Sequence, residues 1–348
     1  MAEIVLPATA PGPMAPRSAD AFASPRARRR YIVVLGALIV LSLGFGFALL
    51  AWDNPMPVGT DGFWRIAEMR ATGLVVIAVV AFSQAMATVA FQTVTNNRII
   101  TPSIMGFESL YTAIQTSAVY FLGIAGLIAI QGVPQFLLQV ALMVGFALLL
   151  YGWLLSGRYG NLQVMLLIGI VIGGGLGSVS AFMRRLLTPS EFDVLAARLF
   201  GNIANADAEY LPIAIPLCAV AGGLLWANAR RLNVIALGRD TSMNLGLNHR
   251  AELLRALTLV SILMAVSTAL VGPMTFLGFL VATLAYQFAD THDHRFVFPV
   301  AVLTGFVVLT GANFVMKHIF YAQGVVSIII ELIGGGVFLF VILRKGRL

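Results

Sequence analysis

Charged residues are missing from three long stretches of this chain, Tyr31–Trp52, Ser109–Gly157 and Phe296–Met316. About 20 apolar residues cross a bilayer core as one helix, so the first and third stretches each suit a single crossing and the second must hold more than one. Glycine and proline punctuate the runs at Gln131-Gly-Val-Pro134 and at Gly272-Pro273. The pattern predicts ten helices, at about 31–52, 70–93, from Pro102, 134–155, 161–185, 210–230, 253–272, from there to 289, 296–316 and 325–343. Thr101 is expected to cap the third, with Pro102 at its first helical position.

Residues 1–25 are rich in Ala and Pro without hydrophobic period and read as a disordered tail. Arg26, Arg28, Arg29 and Arg30 then lead into the first apolar run, which is too long for a signal peptide and is followed by no A-x-A cleavage site. That run is a retained anchor, which divides the chain into a cytoplasmic tail, 1–29, and a transmembrane domain, 30–348. An even number of crossings puts both termini on one side. Of the 22 Lys and Arg, 16 fall on that side, which marks it as cytoplasmic. The expectation is a multi-pass protein of the bacterial inner (plasma) membrane.

Composition agrees. The chain is 59% hydrophobic and 11% charged, against about 25% charged in a soluble domain. The net charge of +7 does not imply nucleic acid, because the basic residues cluster at the ends of apolar runs. The single cysteine, Cys218, excludes a disulfide framework and reads as a small buried hydrophobe. Gly169, Gly173 and Gly177 form a stripe at four-residue spacing, suited to tight helix packing within the chain or across a dimer, or to a flexible pore wall.

Candidate chemistry is sparse. The loop at about 237–250 contains Leu237–Gly246, a short amphipathic helix in which Asp240 is expected to cap and Met243 and Leu247 to share a face beside Leu245. Such a helix suits passive burial among headgroups or insertion into a cleft on a soluble partner. Glu108 and Glu331 are isolated intramembrane carboxylates, candidates for an ion or proton pathway or for simple hydrogen-bonded burial. His292 and His294 with Asp290 present metal-ligating types on a short loop, where Asp293 more simply caps the following helix. No GxxxxGK[ST] motif, catalytic Ser/His/Asp set or HExxH occurs, so uphill transport would draw on an ion gradient or on another subunit.

Six segments in order carry a resemblance. They are Arg70 at the second helix, Phe91-Gln92 with Thr95–Phe107 (T-N-N-R-I-I-T-P-S-I-M-G-F), Leu237–Gly246, Gly272–Gly278 (G-P-M-T-F-L-G), Asp293-His-Arg295, and Ser327–Gly336. From residue 30 onward the chain resembles the permease family that imports ferric siderophores, haem and vitamin B12 within ABC transporters. The Thr-Asn-Asn-Arg form with Gly106–Tyr111 is similar to a branch handling catecholate and hydroxycarboxylate siderophores, of enterobactin, anguibactin or petrobactin type. Two departures stand out. Gly73 replaces the second Arg of the family's Arg-Leu-Pro-Arg, and Ala282, Thr283 and Tyr286 replace its Pro-His-x-x-Arg.

The resemblance implies an all-α type II importer permease of about ten transmembrane helices that translocates a ferric siderophore and catalyses no bond chemistry itself. It implies no cofactor on this chain, with ATP and Mg on partner ATPase subunits. A second permease, identical or different, would enclose the pore, and a periplasmic or lipid-anchored binding protein would deliver the chelate. Gly238, Asp240, Thr241, Met243, Leu245, Gly246 and Leu247 would then couple to the ATPase. Arg70 and Lys317 would dock the binding protein, and Ser156, Gly157, Arg158, Gly169, Gly173 and Gly177 would lie near the gate. The alternative is an ion-coupled secondary transporter that uses Glu108 or Glu331.

Overall fold

Ser24 opens the first helix by accepting a hydrogen bond from the Ala27 amide, with Pro25 placed where its missing N–H is no loss. The computed structural model describes residues 21–103, 106–156, 162–203, 206–320 and 325–345, and among them no strand occurs. The helices are α1 (Pro25–Ala51), α2 (Asp61–Val94), α3 (Phe107–Ala129), α4 (Val133–Ser156), α5 (Leu162–Arg185), α6 (Pro189–Leu199), α7 (Leu211–Ala227), α8 (Ala229–Ile235), α9 (Arg239–Asn244), α10 (His249–Val271), α11 (Leu277–Ala289), α12 (His294–His318) and α13 (Val326–Lys345). Among the described residues eight helices are long and apolar enough to span a membrane. The apolar stretches of α11 and α13 are shorter. The protein is an all-helical, multi-pass membrane protein.

The bundle is organised around α2. Its residues Val76 to Val94 are almost continuously buried, against α10, α12, α7 and α11. Small residues let these neighbours approach. A Cβ on Gly222 of α7 would meet the Phe82 ring at 2.3 Å, and one on Gly278 of α11 would meet the Thr88 hydroxyl at 2.2 Å. Polar contacts fix the register. Gln84 donates to Ser267 of α10 at 3.2 Å, and Ser83 to Cys218 of α7 at 3.1 Å. By contrast α1 exposes Ile32, Val33, Val40, Leu43 and Phe47, as a helix facing lipid does.

Several expectations move. The second helix begins at Asp61, capped by Thr60, so Arg70 lies inside α2 and does not open it. The third begins at Phe107, not at Pro102. Gly106, at φ +96°, takes the N-cap position, and Thr101 makes no capping bond. Only glycine enters that left-handed region freely. The expected sixth helix divides at Asn228 into α7 and α8, and the seventh starts four residues early, at His249, with Asn248 as its cap. α6 has no counterpart in the hydropathy pattern. Its Thr188 and Glu191 form a reciprocal capping box. Order also begins before residue 30, for Phe22 is buried in an aromatic cluster with Tyr31 and Phe296.

The break at Gly272-Pro273 is where it was expected. Gly272 has φ +87°, and a Cβ there would lie 3.0 Å from the Phe200 carbonyl oxygen. Asn202 N donates to Val271 O at 2.8 Å and Ser327 N to Gly201 O at 3.3 Å. The 199–203 strip therefore ties the end of α10 to the start of α13, and Leu199, Phe200 and Gly201 line a cavity in the bundle.

Candidate coupling, cavity and outer-end sites

The loop expected at 237–250 is a rigid device. Gly238, at φ +93°, occupies the N-cap position of α9 without a side-chain cap, and Asp240 lies exposed in the first turn. Asp240 does not cap, because the left-handed glycine already turns the chain into the helix. Ser242 is fully buried. Its hydroxyl donates to Arg239 O at 2.8 Å and lies 2.8 Å from His249 Nδ1, which pins α9 to the start of α10. Beneath it Glu252, 8% exposed, accepts from Arg231 and Arg255, both at 2.7 Å.

What the device presents is apolar. Leu237, Met243 and Leu245 are exposed, with Asp240, Thr241 and Gly246 exposed around them. Leu247 turns inward against the core, so it does not share the outer face with Met243. The flanking Arg230, Arg231, Arg239 and Arg250 make the surroundings basic.

At the opposite end Arg70 and Lys317 come together. The Arg70 guanidinium donates to the carbonyls of Leu50 (3.4 Å), Trp52 (2.7 Å) and Asp53 (3.0 Å), closing the end of α1. Lys317 is exposed at the end of α12, within electrostatic reach of Arg70 and Asp53. Three carbonyls hold the Arg70 side chain in place, whereas Lys317 is exposed.

Between the ends lies a cavity of about 490 Å³. Its lining includes Glu108 and Thr112 of α3, Gly177 and Arg184 of α5, Thr275, and Glu331 of α13. Thr275 donates to Glu108 Oε2 at 2.6 Å, and the other carboxyl oxygen has no partner among the described residues. Both carboxylates singled out in the sequence thus open on one space. The glycine stripe splits in function. Gly169 and Gly173 pack against Gly106, where a Cβ on Gly173 would stand 3.0 Å from the Gly106 Cα, whereas Gly177 faces the cavity. Ser156 ends α4, and Gly157 and Arg158 lie outside the described residues.

In the His292-Asp293-His294 run, Asp293 and His294 are committed to structure and His292 is exposed. Asp293 caps α12 by accepting from the Arg295 amide at 3.0 Å. Burial works against its charge, but the Arg295 guanidinium and the Asn233 amide outweigh that and hold the carboxyl at about 2. His294 is buried between Asn233 and Thr93, a pairing with no signal in the sequence because its partners lie 61 and 201 residues away.

Comparison with known proteins accords with this architecture. The profile of the FecCD transport family matches residues 33–344. The chain is 53% identical over 332 residues to the petrobactin import system permease protein FatC of Bacillus anthracis, covering 95% of this chain and 94% of that one. It is 35% identical over 311 residues to the petrobactin import system permease protein YclO of Bacillus subtilis, covering 89% and 95%. In fold it is similar to a metal-chelate type ABC transporter solved in an inward-facing conformation, with a TM-score of 0.78 over 90% of this chain and 99% of that one at 19% identity. With the matching profile spanning nearly the whole bundle, the chain belongs to the FecCD transport family.

Proposed function

We propose that this chain is the permease subunit of an ATP-driven importer that carries a ferric siderophore of petrobactin type into the cytoplasm. The observation that carries the reading is its 53% identity to a petrobactin permease across nearly the full length of both chains. The chain contains no nucleotide-binding loop, so its energy comes from ATPase subunits. Those subunits would receive Leu237, Met243 and Leu245 in a cleft, at the end of the bundle that the basic residues mark as cytoplasmic. A binding protein would dock at the other end, near Lys317. A second permease, identical or not, would cover the faces of α5 and α13 that expose Leu167, Val171, Ile328 and Leu332. Glu331, exposed in the middle of an apolar helix, calls for a water-filled space beside it, which the shared pore supplies.

The test is uptake of radiolabelled ferric petrobactin by cells lacking their own petrobactin permeases. Cells given this chain with its ATPase, its binding protein and, where the pair is mixed, its partner permease are expected to accumulate iron, and no accumulation by that complete set would overturn the reading. The convergence of Glu108 and Glu331 on one cavity favours a second reading, ion-coupled transport. Uptake that survives ATP depletion but collapses with an uncoupler would select it.

A further inference from the structure

The docking segment is fastened to the bundle by a buried joint among three helices. Asn233 of α8 donates from its amide nitrogen to Asp293 Oδ1 at 3.0 Å, which fixes the orientation of the amide. Its Oδ1 therefore faces His294, where it accepts from the backbone N–H at 3.1 Å and meets Nδ1 of the ring. An amide oxygen only accepts, so Nδ1 carries the ring proton. Nε2 is left with a lone pair directed at Thr93 Oγ1, on the last turn of α2. The Thr93 hydroxyl also lies 2.8 Å from Val89 O, a bond it can make in place of the one to the ring, but with the ring proton on Nδ1 the close approach of Oγ1 to Nε2 requires the hydroxyl to donate there. His294 and Asp293 are each 4% exposed and Thr93 is 8% exposed. One imidazole thus bridges the docking arm to the central helix with every ring atom satisfied.

What lies beyond Thr93 gives the bridge a direction. Gln92 donates to Arg98 O at 2.8 Å, and Asn97 N to Gln92 O at 3.0 Å, which stiffens the turn that leaves α2. Arg98 stacks over the Tyr286 ring at 4.6 Å. The chain then returns to Gly106, whose backbone lies against Gly169 and Gly173 of α5. α5 borders the cavity through Gly177 and Arg184. The other polar fastenings of the arm, Ser242–His249 and Arg231–Glu252–Arg255, reach α10, and α8 also packs beside α2, where the His294 bridge supplies the polar link.

We infer that His294 is a positioning residue for transport, the joint that passes displacement of the α8–α9 arm through Thr93 to α2 and on to the Gly106–Gly173 contact with α5. This rests on the reading of α9 as the ATPase docking point. A residue that merely caps α12 would need neither Asn233 nor Thr93, since Asp293 already does the capping. Thr93→Val separates the two roles. It keeps the Asp293 cap and the Asn233 pairing and deletes the bond between α2 and the ring, together with the hydroxyl's contacts to Val89 O and Tyr286, and Tyr286→Phe, which removes only the last of these, is the control.

The experiment uses the assembled transporter, this permease with its partner permease, ATPase and binding protein, in proteoliposomes, with a spin label at Val179→Cys, which is exposed on α5 and is not among the residues assigned to the second permease. The single native cysteine, Cys218, is buried and leaves a low background. In the unsubstituted transporter ATP is expected to change the label's mobility. In T93V that change is expected to disappear and iron uptake to fall about tenfold, the effect of one lost buried hydrogen bond, while ATP turnover and complex yield stay unchanged. Thr93→Ser is expected to restore both, and Asn233→Leu combined with T93V to be no worse than N233L alone. Normal label response in T93V, loss of ATP turnover alongside it, or failure of serine to rescue would each overturn the joint. A label that responds to ATP in a transporter that takes up no ferric petrobactin sinks the proposed cargo and leaves the joint standing.

Discussion

The Thr275 hydroxyl donates to the Glu108 carboxyl at 2.6 Å, across 167 residues of sequence, on the side of Oε2, while Oε1 is buried with no partner within hydrogen-bond distance among the described residues. Leaving a buried polar group without its partner costs about 1–3 kcal/mol. Thr275→Val is therefore expected to lower the thermal midpoint in detergent by several degrees. Glu108→Gln keeps an acceptor for Thr275 and should be milder. If transport is ATP-driven, E108Q retains most uptake. If it is ion-coupled, E108Q loses it while remaining folded, and the two variants assayed together decide between the readings.

Gly106 meets α5 at close range in a backbone conformation that disfavours side chains. Left-handed backbone costs an L-residue about 1–2 kcal/mol, and the added Cβ would press on Gly169 O at 3.2 Å. Gly106→Ala is expected to reduce the yield of folded protein or to splay α3 from α5. Gly175→Ala, where a Cβ meets nothing within 4 Å in this chain, is the control. Equal yields by size-exclusion chromatography would show that the contact is not tight.

The docking trio is separable from folding because its side chains touch solvent. Leu245, 62% exposed, replaced by Glu is expected to leave membrane insertion and thermal stability unchanged and to abolish co-purification with the ATPase. Ser242→Leu should fail differently. Ser242 is fully buried, so the larger side chain displaces α9 from His249 and lowers stability as well. Retained ATPase binding in L245E would remove the trio from the interface.

The membrane-crossing runs were legible because a bilayer demands apolar length, and that demand is written locally. The ends of helices were less so. Arg65, Glu68 and Arg70 mark where α2 leaves the apolar layer, not where it stops, and the helix continues back to Asp61. Thr101-Pro102 has the residues of a helix start, yet close contact with α5 moves the start to Gly106, a tertiary effect with no local trace. α6 did carry a signal, the capping box Thr188-Pro-Ser-Glu191, which hydropathy does not weigh. The joint at His294 and the shared cavity of Glu108 and Glu331 join residues far apart in the chain. Periodicity says nothing about such pairings.

The family resemblance pairs Arg70 and Lys317 as docking charges, and their surroundings differ. Arg70→Glu reverses a side chain that three carbonyls hold, so it is expected to destabilise the α1–α2 turn as well as any docking. Lys317→Glu reverses an exposed charge that makes no hydrogen bond among the described residues, beside Arg70 and Asp53, and should weaken binding-protein affinity with little change in thermal midpoint. Surface plasmon resonance with the binding protein, beside a melting curve for each variant, tells them apart. Unchanged affinity in K317E would move the docking site elsewhere.

Asp293 gives a pH-dependent prediction with a definite sign. Its carboxyl is held at about 2, below the ordinary aspartate value of 3.8, because the charged form is bound by Arg295 and Asn233. A group depressed in this way stabilises the fold fully above about pH 4, and its contribution fades as pH falls toward 2. At 6% side-chain exposure the effect is on the order of 2 kcal/mol. Asp293→Asn is therefore expected to unfold sooner than the unsubstituted protein at pH 5 and to converge with it near pH 2. Unfolding half-lives in detergent measure this, and parallel curves across the range would mean that the Arg295 pairing adds nothing to stability.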